Sequence, residues 1–330
     1  MNNMKIFKRI SAVLLAVAML LSFASCGDKP VTDEETVSEE TTSYIRENKT
    51  KMAVYSGVAS LSVAKLVKDR GYAYESSLYN DLNEIENLIR NGNADMAVVP
   101  VESAAKLFNE TKGGVKIIAV NSLCNLQLLS ADEEIKSLAD IKGKTVYASG
   151  EGTASEAVLN YIFEKNSINP KVEYVATDAE LANLAVEGKA DICILPEPQA
   201  TKVVFENTSM KRAADFNDEW NKISEAEYAQ TVVIARTEYI ENNPEYINQF
   251  IFHNEISVNF LNENVDTGAD MLNKLGYFST VDIARACVPE CNLQFVKGED
   301  MKAMVAAACN ALPAEMTGGT VNADGICFVQ

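Results

Sequence analysis

One segment of the sequence occurs twice, and this repeat constrains the fold more than any other feature. NGNADMAVVPVES, which begins at Asn91, recurs as EGKADICILPEPQ at an offset of 96 residues. Gly92, Ala94, Asp95 and Pro100 have identical counterparts in the second copy. Each copy indicates a helix end, a turn, a short apolar strand, and a Pro that begins the next helix, where its missing N–H costs nothing. The unbroken apolar runs predict parallel strands that are covered on both faces.

A second pair of matching segments lies upstream of the repeat. AVYSGVAS begins at Ala53 and TVYASGEGTAS begins at Thr145, and both predict a strand, a loop of small residues and a helix. A further strand, Tyr74–Tyr79, lies between the landmarks of the first half. Each half is therefore predicted to be an open βαβαβ unit, and two such units predict two lobes. Amphipathic stretches from Pro244 to Leu312 predict a helical C-terminal segment that completes the first lobe.

The predicted fold class is α/β with two lobes, and 330 residues are enough for two compact units. Residues 51–129 and 237–330 are predicted to form the first lobe, and residues 130–236 the second. The strand-like stretches Leu123–Leu129 and Thr231–Ala235 are predicted to cross between the lobes as hinges.

The N-terminal part of the sequence predicts targeting rather than folded structure. Residues 1–25 have three basic residues followed by an apolar run that is too short to span a bilayer, which is the pattern of a signal peptide. The following Ala-Ser-Cys-Gly resembles the bacterial lipobox, in which Cys26 would carry a lipid. Residues 26–50 are rich in Thr, Ser and Glu and predict a disordered tether. We therefore expect an extracytoplasmic protein that is anchored to the membrane by lipid.

Composition and motifs argue against several classes of function. With 47 acidic and 29 basic side chains the formal charge is −18, and no basic cluster follows Arg9, so nucleic acid is not an expected partner. A single histidine, His253, without a close Cys/His cluster argues against a zinc site. Gly150–Ser155 lacks the third glycine of a dinucleotide fingerprint. No nucleophile motif occurs, so we expect neither catalysis nor a cofactor.

Six cysteines remain besides Cys26, and they form no CxxC pair. Cys287 and Cys291 flank a proline and can pair or stay free, whereas Cys193 lies in an apolar run that predicts a buried thiol. No disulfide is predicted.

Several segments resemble one protein family when they are taken together. They are the repeat, SLADIKGKTVYASGEGTASEAVLNYIFEKNSINP from Ser137, and LPEPQAT from Leu195. From Met52 to about Pro313 the chain resembles type II solute-binding proteins of ABC transporters, in the branch that takes up nitrate, taurine, alkanesulfonates and the pyrimidine precursor of thiamine. The resemblance implies a monomer with a periplasmic-binding-protein-like fold, whose lobes close on a small solute. It also implies an ABC permease and its ATPase as partners.

The predicted solute site lies at the carboxyl ends of the strands. Ligands of open α/β sheets bind at these ends, where helix N-termini present free N–H groups. The predicted solute-binding residues are Ser56, Gly57, Ser60, Tyr79, Asn80, Glu102, Ser103, Asn121, Glu151, Gly152, Thr153, Ala154, Ser155 and Glu197.

Carboxylates in these loops bear on the kind of solute. Glu102, Glu151 and Glu197 either pair with helix N-termini or accept hydrogen bonds from an amine or an aminopyrimidine, and they would repel a sulfonate. The same loops contain no Arg or Lys, which disfavours an anion. Thr153 can cap its helix, contact the solute, or do both. Tyr55 either stacks on a planar solute or packs in the core.

Three functions are compatible with these predictions. The leading hypothesis is a lipid-anchored solute-binding component of an ABC importer. The first alternative is a lipoprotein sensor that passes the signal of a bound ligand to another partner. The second is an enzyme on the same fold, similar to the dehydratases of menaquinone synthesis or the pyrimidine synthases of the thiamine branch. Those enzymes act in the cytoplasm, so the signal peptide and Cys26 argue against this alternative.

Overall fold

A computed structural model describes residues 49–329, which fold around two β-sheets. The predicted signal peptide, Cys26 and nearly all of the predicted tether lie outside the described residues. No helix within residues 49–329 is long and apolar enough to cross a membrane.

The first sheet has six strands. They are β1 (Thr50–Tyr55), β2 (Tyr74–Tyr79), β3 (Met96–Pro100), β4 (Val115–Leu123), β10 (Ala229–Arg236) and β11 (Leu293–Val296). Their order is β11-β4-β10-β3-β1-β2. The strand β1 is parallel to both β2 and β3, whereas β10 lies antiparallel between β3 and β4.

The second sheet follows the same plan. Its strands are β5 (Leu126–Ser130), β6 (Thr145–Ser149), β7 (Lys171–Val175), β8 (Ile192–Pro196) and β9 (Lys211–Asp215). Their order, β7-β6-β8-β5-β9, matches β2-β1-β3-β10-β4 of the first sheet, and in both sheets the fourth strand of the series is antiparallel to its neighbours. The two open βαβ units predicted from the repeat are therefore confirmed.

Helices connect and cover the strands. The α-helices are α1 (Val58–Ser62), α2 (Ala64–Arg70), α3 (Leu82–Arg90), α4 (Val101–Glu110), α5 (Ala154–Lys165), α6 (Asp178–Val186), α7 (Gln199–Glu206), α8 (Phe216–Asn221), α9 (Thr237–Asn242), α10 (Pro244–Glu263), α11 (Val265–Lys274), α12 (Val281–Cys287), α13 (Gly298–Asn310) and α14 (Ala323–Ile326). Two short 3₁₀ helices cover Leu138–Ile141 and Val288–Cys291. The C-terminal segment is helical as expected, except that β11 joins it to the edge of the first sheet.

The same turn precedes the matching strands β3 and β8. Gly92 and Gly188 both have φ +69°, in the left-handed region that favours glycine. Their backbone N–H groups donate to Ile89 at 3.1 Å and to Ala185 at 3.2 Å, so each glycine closes the end of its preceding helix. The repeated glycine thus has a conformational cause.

The chain crosses between the sheets at two places. The first crossing, at Cys124 and Asn125 between β4 and β5, falls inside the predicted hinge Leu123–Leu129. The second crossing lies between β9 and β10. The predicted hinge strand Thr231–Ala235 is wrong, because it pairs with β3 and β4 within the first sheet. The sequence does not place β10 in the first sheet, because an apolar run does not reveal which sheet it joins.

The six described cysteines are all buried thiols. Cys287 and Cys291 lie close together, with their Sγ atoms 3.5 Å apart. Trp220 packs against Tyr161 and Tyr228 and is only 1% exposed, so it is a core residue.

Candidate functional site

A cleft of about 470 Å³ lies where the carboxyl ends of the parallel strands of both sheets meet. Its lining residues follow β1, β2 and β3 of the first sheet and β6, β7 and β8 of the second, and they include residues at the first crossing and at the start of β10. Six strand ends therefore contribute to one cavity. The lining residues are Tyr55, Ser56, Gly57, Val58, Ala59, Asn80, Leu82, Pro100, Glu102, Asn125, Gly150, Thr153, Ala154, Ser155, Asp178, Pro196, Glu197, Pro198, Gln199, Gln230 and Thr231.

The wall from the first lobe is held by hydrogen bonds between strand ends. The backbone N–H and the Oγ of Ser56 both donate to the carbonyl of Tyr79, at 2.9 and 3.0 Å. Gly57 follows with φ +90°, which turns the chain into α1. Ser56 and Gly57 are thus fixed in position at the cleft.

The wall from the second lobe is a capped helix start. Thr153 Oγ1 donates to the carbonyl of Gly150 at 2.6 Å and accepts from the N–H of Ser155 at 3.3 Å. Thr153 therefore caps α5 and also lines the cleft, so both roles left open by the sequence are compatible with the structure. Asp178, at the start of α6, accepts a hydrogen bond from Ser149 Oγ.

Glu102 brings a buried carboxylate to the cleft. Glu102 lies in the first turn of α4, and its Oε2 atom is buried without a hydrogen-bond partner among the described residues. Burial, with a smaller contribution from Glu86, raises the pKa of Glu102 to about 7, although a hydrogen bond from its own backbone opposes this rise.

Glu197 is bound within the protein. Its Oε1 accepts from Arg212 at 2.7 Å, and its Oε2 accepts from the N–H of Thr201 at 3.1 Å. The thiol of Cys287 also lies 3.6 Å from Oε2. Burial raises the pKa of Glu197, whereas Arg212 and the hydrogen bonds lower it. The carboxylate borders the cleft, but its oxygens already have partners.

The acidic side chains of the cleft are only partly neutralised by the protein, because Arg212 pairs with Glu197 from outside the lining. The lining includes three carboxylates, and no Lys or Arg is among the lining residues of the described chain. Burial raises the pKa of Tyr55 in the cleft, and the nearby carboxylates of Asp178, Glu102 and Asp81 raise it further. Hydroxyl and amide side chains supply the remaining polar groups.

Eight of the predicted solute-binding residues line the cleft. They are Ser56, Gly57, Asn80, Glu102, Thr153, Ala154, Ser155 and Glu197.

Three predicted residues are instead buried in hydrogen bonds away from the cleft. Ser60 Oγ donates to the carbonyl of Gly57 at 2.7 Å. Ser103 Oγ donates to Glu86 Oε1 at 3.0 Å. Asn121 is 0% exposed, and it exchanges amide hydrogen bonds with Asn254 of α10 and donates to Ser62 Oγ. The hydrogen bonds of Ser103 and Asn121 join elements of the first lobe, whereas that of Ser60 is local to the start of α1.

The other three lie beside the cleft without lining it. Tyr79 lines a separate pocket of about 70 Å³. Glu151 and Gly152 are exposed at the tip of the loop after β6. The carbonyl of Tyr79 still supports the site, because it holds Ser56.

Several lining residues were not predicted. Asp178 follows β7, the counterpart of β2 in the matching sheet plan, and Asn80 after β2 was predicted. The repeat therefore carried a signal for Asp178. Gln199 is the counterpart of Ser103 in the repeat, and Asn125 lies in the predicted hinge Leu123–Leu129, so both had a sequence signal. Gln230 had none, because the sequence does not show that β10 joins the first sheet.

The family of the chain follows from its sequence profile. The profile described as NMT1/THI5 like matches residues 68–264, which is more than half of the chain. The chain belongs to the NMT1/THI5-like family. This agrees with the resemblance to type II solute-binding proteins, which is confirmed. None of the curated proteins compared with this NMT1/THI5-like chain matches it.

Solved structures show the fold of this NMT1/THI5-like chain. An ABC transporter structure from Parabacteroides distasonis has a TM-score of 0.72 and 18% identity, covering 84% of this chain and 98% of that one. The periplasmic aliphatic sulphonate binding protein SsuA from Escherichia coli has a TM-score of 0.67 and 14% identity, covering 85% and 92%. A Candida albicans protein with the generic periplasmic binding protein fold has a TM-score of 0.54 and 14% identity, covering 84% and 93%. The predicted two-lobed fold is therefore confirmed.

Proposed function

We propose that the chain is the solute-binding component of an ABC importer and that it holds a small polar solute between its lobes. One observation carries this proposal: six strand ends from two matching sheets place polar side chains around a single cleft of about 470 Å³. A cavity of this volume suits a small molecule. The family and the two-lobed fold support the same function, with a membrane permease and a separate ATPase as partners.

The lining residues favour a solute that donates hydrogen bonds. Carboxylates and amides supply acceptors, and the lining of the described cleft contains no Lys or Arg to neutralise a sulfonate. We therefore infer an amine- or aminopyrimidine-bearing solute, although the similar Escherichia coli protein is a sulphonate binding protein.

A thermal-shift panel on the purified full-length protein tests this function. The panel contains aminopyrimidines, polyamines, taurine, alkanesulfonates and nitrate. A solute at a hundred times its Kd should stabilise the protein by about 2.7 kcal/mol, which gives a clear rise in Tm. If a solute binds and its uptake by cells falls when the gene for this protein is deleted, the importer function is supported. Binding with unchanged uptake would instead indicate a sensor.

We further infer that the protein is held outside the cytoplasm by a lipid on Cys26. The lipobox-like sequence and the acidic tether support this inference. Cys26→Ser should move the protein from the membrane fraction to the soluble fraction while its fold is unchanged. Ser38→Ala, which changes the tether and leaves the lipobox-like sequence intact, serves as the control. Membrane retention of the Cys26→Ser variant without a lipid adduct would contradict the anchor.

A further inference from the structure

Glu102 differs from the other carboxylates of the cleft because one of its oxygens is buried without a hydrogen-bond partner in the described chain. Its Oε2 atom is buried, and no residue of the described chain donates a hydrogen bond to it. Asp178 accepts from Ser149, and Glu197 uses both of its oxygens. A buried acceptor without a donor is unfavourable, so Glu102 is the group in the cleft that a donor on a bound molecule would satisfy.

The charged neighbour that contributes to the pKa of this carboxylate is acidic. Glu86 of α3 lies close enough to raise the pKa of Glu102. The cations on this side are already bound to Glu86, because Arg90 and Lys106 donate to its Oε2 at 2.8 and 2.9 Å. Neither cation is therefore available to hold Glu102 in its ionised form.

The other elements packed against α4 offer no cation to Glu102. The titratable groups close enough to Glu102 to be affected by it are neutral, and they are Tyr55 of β1, Tyr228 before β10 and Cys309 of α13. Burial raises the pKa of each, and acidic neighbours that include Glu102 raise it further. Lys116 of β4 lies over the ring of Phe108, near the other end of the helix. The strand β3 is apolar. Burial and Glu86 thus favour a proton on Glu102 in the empty cleft near neutral pH.

We propose that Glu102 determines the charge of the solute: it binds a cationic nitrogen as a carboxylate, and binding releases the proton that it carries in the empty cleft. The incoming cation pairs with the Glu102 carboxylate, for which the described chain supplies no cation. The carboxylate and the cation then form a charge-assisted hydrogen bond in a buried site. The proton passes to the solvent, so one positive charge leaves the site as another enters. This inference rests on the proposed solute-binding function.

Three probes of one shape test the inference on the full-length protein. Benzamidinium is a cation, benzamide is its neutral analogue and benzenesulfonate is an anion. We expect benzamidinium to bind about 30-fold more tightly at pH 8.5 than at pH 5.5, because a carboxyl with a pKa of about 7 is almost fully ionised only at the higher pH. Calorimetry at pH 6 in two buffers with different ionisation enthalpies should detect release of nearly one proton for each benzamidinium bound.

Variants separate Glu102 from other acidic groups. Glu102→Gln should remove the pH dependence and the proton release, and it should favour benzamide over benzamidinium. Glu84→Gln changes an exposed carboxylate on α3 and should leave all three measurements unchanged. Benzamidinium that fails to bind, or binds equally at both pH values, overturns the inference. Preferential binding of benzenesulfonate also overturns it but leaves the importer function intact, whereas a full solute panel without any hit would contradict both.

Discussion

At the scale of single residues, Glu102 should make the stability of the empty protein depend on pH. Its pKa is raised from 4.5 to about 7 in the folded state, so the folded protein holds this proton over a range in which the unfolded chain has lost it. The stability from this group is complete below pH 4.5 and falls as the pH rises towards 7. The loss amounts to about 3 kcal/mol.

Glu102→Gln should remove this loss, because the amide keeps the shape of the side chain and cannot ionise. Relative to the unmodified protein, the variant should gain about 3 kcal/mol between pH 4 and pH 8. Urea unfolding at the two pH values measures the gain. An equal difference in unfolding free energy at both pH values would mean that the pKa of Glu102 is not raised in the empty cleft.

The sequence left two roles open for Glu197, solute binding and pairing with a helix N-terminus. Solute binding predicts that Glu197→Ala weakens affinity by about 1 to 3 kcal/mol. The structure shows the second role, because the buried carboxylate of Glu197 pairs with Arg212 and accepts from the N–H of Thr201 at the start of α7. Removing the carboxylate leaves a partly buried guanidinium with only Thr201 and Glu290, so Glu197→Ala should lower the unfolding free energy by about 3 kcal/mol.

Urea unfolding checks this value, with Glu206→Ala as the control because Glu206 is exposed at the end of the same helix, α7. An unchanged unfolding free energy together with weaker solute binding would return Glu197 to the site.

At the scale of elements, the repeated turn should respond to substitution in the same way in both lobes. Gly92 and Gly188 share φ +69°, and a Cβ at either position would meet no atom closer than 3.7 Å. The cost of alanine is therefore conformational, about 1 to 2 kcal/mol at each position. The two costs should add in the double variant, since the turns are in different sheets.

Asparagine tolerates the left-handed region better than alanine, so Gly92→Asn and Gly188→Asn should cost less than the alanine variants. Chemical denaturation of the four single variants and the double alanine variant measures these differences. Equal costs for Ala and Asn would show that crowding rather than φ limits the turn.

The sequence predicted elements and sheets better than it predicted side-chain partners. The signals for elements are local, and they are the apolar strand runs, the turn glycines and the Pro that ends β3 and β8. Each of them occurs in both copies of the repeat, which strengthens the prediction. Ser103 and Asn121 were assigned to the site because they end apolar segments, but their partners Glu86 and Asn254 lie on other helices. Such distant pairings leave no periodic pattern in the sequence. Similarly, β10 has the same apolar pattern whichever sheet it joins.

At the scale of the whole molecule, one corner of the first lobe contacts the second lobe near the crossings. It comprises residues 287–292, from the last residue of α12 to the residue before β11. Cys287 lies against Glu197, and Glu290 pairs with Arg212 at 3.2 Å. Asn292 donates to the carbonyl of Cys124 at 2.7 Å and to Asp215 at 3.3 Å. This corner therefore helps to set the position of one lobe relative to the other.

Asn292 combines a side-chain role and a backbone role at this corner, and two substitutions separate them. Its φ of 47° lies in the left-handed region, where glycine is unstrained and alanine is not. Asn292→Gly should cost about 1 to 2 kcal/mol through the lost hydrogen bonds, and Asn292→Ala should cost about 1 kcal/mol more. Both variants should raise the radius of gyration of the empty protein in X-ray scattering, because the lobes lose a contact beside their crossings. A stability loss with an unchanged radius would show that Asn292 supports the corner alone and does not hold the lobes together.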